Sequence, residues 1–334
     1  MPGTEIIDST GMIAGTEIID SHLHFWNPER IDYFWLGPST PTLCRTVDLD
    51  ELEPQRLAAG VTRGVFVQAS HDPRELGWVL RELERFPWVR GVVGWLDLTA
   101  QNLEIQARAA LKDARFKGVR HLTHDVPDAH WLARSDVGAG LNVLETLGLS
   151  FDLVLRPEQL SLAAEVMGQH PGLNVVLDHL GNPPLRSGDL NTWARDLTAL
   201  AALPNLTAKV SGLLTGLETG QDHTPLREAV HLAFGVFGAR RLMYGGDWPM
   251  ATLAASYQNT LEMLRALLPP LLPGEEQAFW AGTASRVYRL NSPMSMKNSL
   301  MENNFMENSF MENSFVENSF VENSAERFVS GVRA

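Results

Sequence analysis

The stretch Glu17-Ile18-Ile19-Asp20-Ser21-His22-Leu23-His24-Phe25-Trp26 opens with an apolar run short enough for one buried strand and ends in two histidines one residue apart. Alternate side chains of an extended segment share a face, so His22 and His24 leave the end of that strand in the same direction. Two convergent imidazoles can hold a metal ion or orient a carbonyl group. A bare His-x-His is more often a pair of surface histidines, so its meaning depends on the rest of the chain.

Outward from this strand, helical patterns alternate with short apolar runs. Residues 49–59 read as a helix stopped at Gly60, and 64–68 as a strand. Asp72-Pro73-Arg74-Glu75 reads as an N-cap, a proline in the first turn and a carboxylate three residues past the cap, opening a helix that runs to 86. Further strands are expected at 89–96, 116–120, 151–155, 173–177, 206–210 and 241–246, with helical stretches between them. Strands apolar almost throughout, alternating with helices, belong to a parallel sheet covered on its outer side. Eight of them predict an α/β fold closed as a (β/α)8 TIM barrel. Residues 27–46, with Tyr33, Phe34 and Trp35, show no periodicity and read either as a functional loop or as a small satellite core.

The ends depart from this pattern. Gly-Thr-Glu-Ile-Ile-Asp occurs at 3–8 and again at 15–20, and only the second copy leads into the histidines. Residues 1–14 are therefore expected to be an N-terminal extension to a barrel at 15–291. From 301 the chain repeats Met/Val-Glu-Asn-Ser/Asn-Phe every five residues. That period builds no apolar stripe on a helix and alternates faces on a strand, so 292–334 is expected to be a disordered low-complexity tail.

Composition narrows the partners. The chain has 334 residues and a formal net charge of −13, which argues against nucleic acid or an anionic membrane surface. Cys44 is the single cysteine, so no intrachain disulfide can form and a reducing compartment is the simpler assumption. No apolar run approaches the roughly 20 residues of a membrane span, and the N-terminus lacks the pattern of a signal peptide. The expectation is a soluble cytoplasmic protein acting on a small molecule, with homo-oligomerisation left open.

In a barrel of this kind the site forms at the C-terminal ends of the strands. Those ends carry His22 and His24, Gln68 and His71, Asp97, Arg120 and His121, Arg156, Asp178 and His179, Lys209 and Ser211, and Asp247. Each has a plainer reading. Asp247 could cap a helix, His179 could satisfy a carbonyl in a Gly/Pro turn, and Lys209, inside a strand, could pair with a neighbouring carboxylate.

Five motifs in order carry a resemblance: Ile18 to Trp26, Phe116-Lys117-Gly118-Val119-Arg120-His121, Val176-Leu177-Asp178-His179-Leu180-Gly181, Lys209-Val210-Ser211-Gly212-Leu213, and Arg241-Leu242-Met243-Tyr244-Gly245-Gly246-Asp247-Trp248-Pro249. Together they resemble the amidohydrolase-related family, in the branch of sugar lactonases and dicarboxylate lactonases; the match spans about 17–290. The resemblance implies a barrel with His22, His24, His179 and Asp247 at its centre. Binuclear members place a bridging lysine or glutamate on the fourth strand and a histidine on the fifth, where this chain has Arg120-His121 and Arg156. One divalent ion, zinc or manganese, on His22, His24 and either Asp247 or His179, and a metal-free site are both open under the resemblance.

The implied function is a hydrolase opening a lactone ring, of a sugar lactone or a related carboxylated lactone. Its alternative is a metal-dependent non-oxidative decarboxylase of the same superfamily. Ester hydrolysis needs a base for water and donors facing the oxygen that becomes anionic. Asp247 is the expected base, with His179 and Arg120 as its catalytic partners. Trp26, Trp35, Arg156 and Lys209 are the expected substrate-binding residues.

Overall fold

The computed structural model describes residues 17–291 apart from 39 and 219. The expected N-terminal extension at 1–14 and tail at 292–334 lie outside the described residues.

The chain alternates strand and helix as its hydrophobic pattern requires. The strands are β1 Ile18–Leu23, β2 Val61–Val67, β3 Val89–Gly94, β4 Phe116–His121, β5 Ser150–Leu153, β6 Asn174–Leu177, β7 Leu206–Val210 and β8 Leu242–Tyr244. The helices that follow them begin with α1 Leu49–Ala58, α2 Arg74–Glu82, α3 Leu103–Ala110 and α4 Ser135–Leu147. They continue with α5 Leu160–Met167, α6 Asn191–Ala201, α7 Thr224–Phe237 and α8 Tyr257–Leu267. The strands pair in chain order, each parallel to the next. Closure is made just beyond the last strand. Asp247 N donates to His22 O and His24 N to Trp248 O, both at 2.7 Å, so the first strand's histidines are clamped to the segment after the eighth.

Two packed layers result. Val61, Phe66, Val89, Phe151, Leu153 and their neighbours face the helices. Ile19, Val65, Val67, Val93, Val176 and Met243 fill the barrel with Tyr288 and Leu290. Those last two come from the C-terminal helical segment, Pro273–Gln277, a π-helical turn at Ala278–Gly282 and Thr283–Val287, which plugs the barrel from below. Burying each of these side chains contributes roughly 1.5–3 kcal/mol, so the apolar layers carry the stability and the upper mouth is free to be polar.

One local expectation is corrected. Glu75 closes no capping box; its carboxylate turns inward and accepts from Ala69 N at 3.1 and 3.3 Å. The backbone N–H of Asp72, which such a box would satisfy, donates to Ser70 Oγ instead. No helix among the described residues is long and apolar enough to cross a membrane.

Candidate active site

The strand ends converge as the barrel geometry demands. His22 Nε2 lies 3.1 Å from His24 Nε2, and Asp247 Oδ1 lies 3.6 and 3.4 Å from the two. His24 is oriented by Val67 O, 2.7 Å from its Nδ1, which puts the proton there and leaves Nε2 as an acceptor. His22 Nδ1 lies 3.3 Å from both Asp178 Oδ1 and Lys209 Nζ, and the donor Arg120 Nη1 lies 3.4 Å from Nε2, which leaves Nε2 as the accepting nitrogen. Burial keeps both imidazoles uncharged: it lowers His24, and it lowers His22 far below the usual histidine range against the pull of Asp178. Burial opposes ionisation of Asp247, and the facing His179 outweighs it and draws the carboxyl down to about 2.

Two nitrogen lone pairs and an anionic oxygen thus face one another without a proton to share. A divalent ion at about 2.0–2.1 Å from each ligand has tetrahedral edges of about 3.3 Å, close to the separations observed. A second trio, His22, Asp178 and His179, also lies within ligating distance. It fits less well because Asp178 is already committed to cations: Lys209 Nζ is 3.1 Å from its Oδ1 and Arg120 Nη1 3.1 Å from its Oδ2.

The backbone at this centre is strained. Asp247 has φ 51° and His179 φ 54°, left-handed values that cost non-glycine residues on the order of 1–3 kcal/mol. The clamp to His22 O fixes the first, and Ser211 fixes the second, its O and Oγ lying 3.2 and 2.9 Å from His179 Nδ1. Gly212, at φ 66°, packs against both; a Cβ there would stand 2.7 Å from Asp247 Oδ2 and from His179 Nδ1.

A cavity of about 450 Å³ opens over this centre. His24, His179, Asp247, Arg120, Arg156 and Trp35 line it, and His22 lies fully buried behind His24 and Asp247. Trp35 is held by its indole N–H, which donates to Ala69 O at 2.7 Å. Trp26 and Lys209 do not reach the cavity wall. Trp26 is buried one layer behind, edge-on to Trp35 at 5.0 Å, its indole donating to Arg45 O. Lys209 sits beneath the site, with Asp152 Oδ2 2.7 Å and Asp178 Oδ1 3.1 Å from its Nζ, which is the carboxylate pairing that its place inside a strand allowed. His121 is also off the wall, between Trp95 and Trp131.

Several residues of the site carried little signal. Asp152 accepts from Lys209 and from Tyr288 Oη at 2.6 Å; a charge between Phe151 and Leu153 in a buried strand was a sign of an inward partner. Asp20 accepts from Gly246 N at 2.8 Å and Tyr257 Oη at 2.8 Å, tying β1 to the segment after β8 and to α8 under the histidines. His124 and Asp125 line the cavity from the loop after β4, where spacing offers no guide.

Comparison with known proteins agrees with this fold. The family model described as amidohydrolase matches residues 19–290. An L-fucono-1,5-lactonase of Burkholderia multivorans is 32% identical over 287 residues, covering 82% of this chain and 97% of that protein. An L-fucono-1,5-lactonase of Burkholderia ambifaria is 29% identical over 279 residues, covering 82% and 96%. A crystal structure of an amidohydrolase from Burkholderia multivorans with bound zinc superposes with a TM-score of 0.76 at 32% identity, covering 81% of this chain and 99% of that one.

Proposed function

This chain belongs to the amidohydrolase family, and we propose that it is a hydrolase that opens a lactone ring by attack of an activated water. The observation that carries the reading is the meeting of His22 Nε2, His24 Nε2 and Asp247 Oδ1 within 3.6 Å of one another beneath a cavity large enough for a single sugar-sized ring. The relatives named L-fucono-1,5-lactonase and the zinc in the related crystal structure support it.

The roles follow from chemistry. His22, His24 and Asp247 would hold a divalent ion, which when bound supplies a Lewis acid. Asp247 presents Oδ1 to the two imidazoles and has Oδ2 on the Gly212 side, and the second oxygen takes the proton of the attacking water. His179, anchored through Nδ1, and Arg120, fixed by Asp178 and Gln68, face the carbonyl oxygen as it gains charge. Trp35 covers the ring and Arg156 meets its polar edge. Because the donors are fixed before substrate arrives, little reorganisation opposes the step.

The test sets two substrate panels side by side: lactones, followed by acid release, and aromatic carboxylic acids, followed by loss of absorbance. Turnover of lactones alone is the expected result. Turnover of the acids alone would instead make the chain a decarboxylase.

A further inference from the structure

Residues 67–70, where β2 ends, hold His24, Arg120 and Trp35. Val67 O orients His24. Gln68 holds Arg120 twice, its Oε1 accepting from Nε at 2.9 Å and its O accepting from Nη2, while its own amide donates to Ser70 O at 2.9 Å. Ala69 O accepts the Trp35 indole N–H at 2.7 Å, and Ser70 Oγ donates to Asp32 O in the same loop as Trp35. Residues 69 and 70 lie outside strand and helix, so no ladder fixes this turn. Glu75 does. From the first turn of α2, and only 1% exposed, its carboxyl accepts from Ala69 N at 3.1 and 3.3 Å and from Ser70 N. Tyr33, in the Trp35 loop, turns its buried hydroxyl toward the same carboxyl, to which it can donate or from which it can accept.

We propose that Glu75 is a positioning residue of the site: through the N–H groups of Ala69 and Ser70 it fixes the turn that sets Arg120 and Trp35 at the cavity. The inference rests on the roles given to those two side chains in lactone opening. Burial pushes the Glu75 carboxyl up to about 8, with Arg120 drawing it down and Asp72 pushing it up. A carboxyl kept out of water on a helix that needs no such group is a local cost of the kind that functional sites carry. Arg120 shows what the turn contributes. Its Nη1 is held by Asp178 Oδ2 at 3.1 Å, and Gln68 alone fixes the other edge of the guanidinium, at Nε and Nη2. If the turn relaxes, that edge swings about the Asp178 contact, and Trp35 loses the acceptor of its indole in the same movement. A misplacement of about 1 Å in a pre-set donor lowers a rate by about a hundredfold.

The experiment measures kcat and KM per folded protein for an aldono-1,5-lactone in the parent, Glu75→Met, Glu75→Gln, Arg120→Lys and the double variant of Glu75→Met with Arg120→Lys. Glu75→Met removes the acceptor at equal length and should lower kcat/KM by about a hundredfold, with kcat falling through Arg120 and KM rising through Trp35. Glu75→Gln keeps an acceptor at the same reach and should return kcat/KM to within about tenfold of the parent. In the Arg120→Lys background Glu75→Met should lower kcat by less than about threefold, because the group it acts through is gone. A purely structural Glu75 would leave kcat and KM of the folded fraction within about twofold of the parent, or lower kcat by the same factor in both backgrounds, and either result overturns the proposal. Should Glu75→Met not fold, Glu75→Asp, which withdraws the carboxyl by one methylene, takes its place in the same comparison. A parent that opens no lactone contradicts the lactonase reading instead. The turn is then read from the Trp35 indole N–H resonance, assigned with Trp35→Phe: a shift in Glu75→Met that Glu75→Gln reverses supports the proposal, and an unmoved resonance overturns it.

Discussion

Lys209 Nζ stands 2.7 Å from Asp152 Oδ2, and neither side chain has any exposure to solvent. The ammonium also lies 3.1 Å from Asp178 Oδ1, so one cation holds two buried carboxylates below the histidines. Removing one partner of a buried pair leaves an uncompensated charge, which costs on the order of 3–5 kcal/mol. Lys209→Met should lower the urea unfolding free energy by about that amount, and adding Asp152→Asn should restore part of it. If Lys209→Met raised KM for a lactone with the unfolding midpoint unmoved, Lys209 would belong to the substrate and not to the foundation of the site.

Gly212 has no side chain because none fits. Its φ of 66° and the 2.7 Å approaches that a Cβ would make to Asp247 Oδ2 and His179 Nδ1 leave room for hydrogen alone. Gly212→Ala should displace both groups and lower kcat/KM by about a hundredfold or more, with the far-ultraviolet circular dichroism of the parent. Parent-like turnover would mean that Asp247 and His179 need no fixed positions.

Burial pushes the Glu75 carboxyl up to about 8, against the backbone N–H groups of Ala69 and Ser70. A carboxyl whose folded pKa lies above its unfolded value binds its proton more tightly when folded. Its contribution to stability is therefore complete below the unfolded value and is lost as pH rises through about 8. Glu75→Gln should remove this slope. The stability difference between variant and parent should shift in favour of the variant by on the order of 4 kcal/mol between pH 5 and pH 9, read from urea unfolding at each pH. A pH-independent difference would contradict the burial argument.

The barrel was legible because its strands are apolar on both faces, a pattern that periodicity exposes directly. Leu206–Val210 falls on the expected residues, whereas β2 begins at Val61, earlier than its apolar run, because Thr62 and Arg63 reach Glu17 at the strand's polar lower end. Within the site, residues at strand ends were legible because topology alone brings them together, as with His24, His179 and Asp247. Trp26 misled because an aromatic beside a histidine motif carries no sign of which way its ring turns, and here the indole turns to Arg45 O and away from the cavity. His124 and Asp125 were hidden for a related reason: a loop has no period from which to read a facing direction.

The trio of His22, His24 and Asp247 predicts the metal stoichiometry. Protein loaded with zinc and desalted should carry about one divalent ion per chain by elemental analysis, and His24→Ala should lose most of it. Equal retention in His24→Ala would place the ion elsewhere.

The account turns on Asp247 as the group that takes the proton from water. Its most direct test is kcat/KM for opening of an aldono-1,5-lactone, followed by acid release, in the parent and in Asp247→Asn. The account predicts a loss of about a thousandfold or more with the fold intact. A variant within about tenfold of the parent, a difference of about 1.4 kcal/mol, would contradict it.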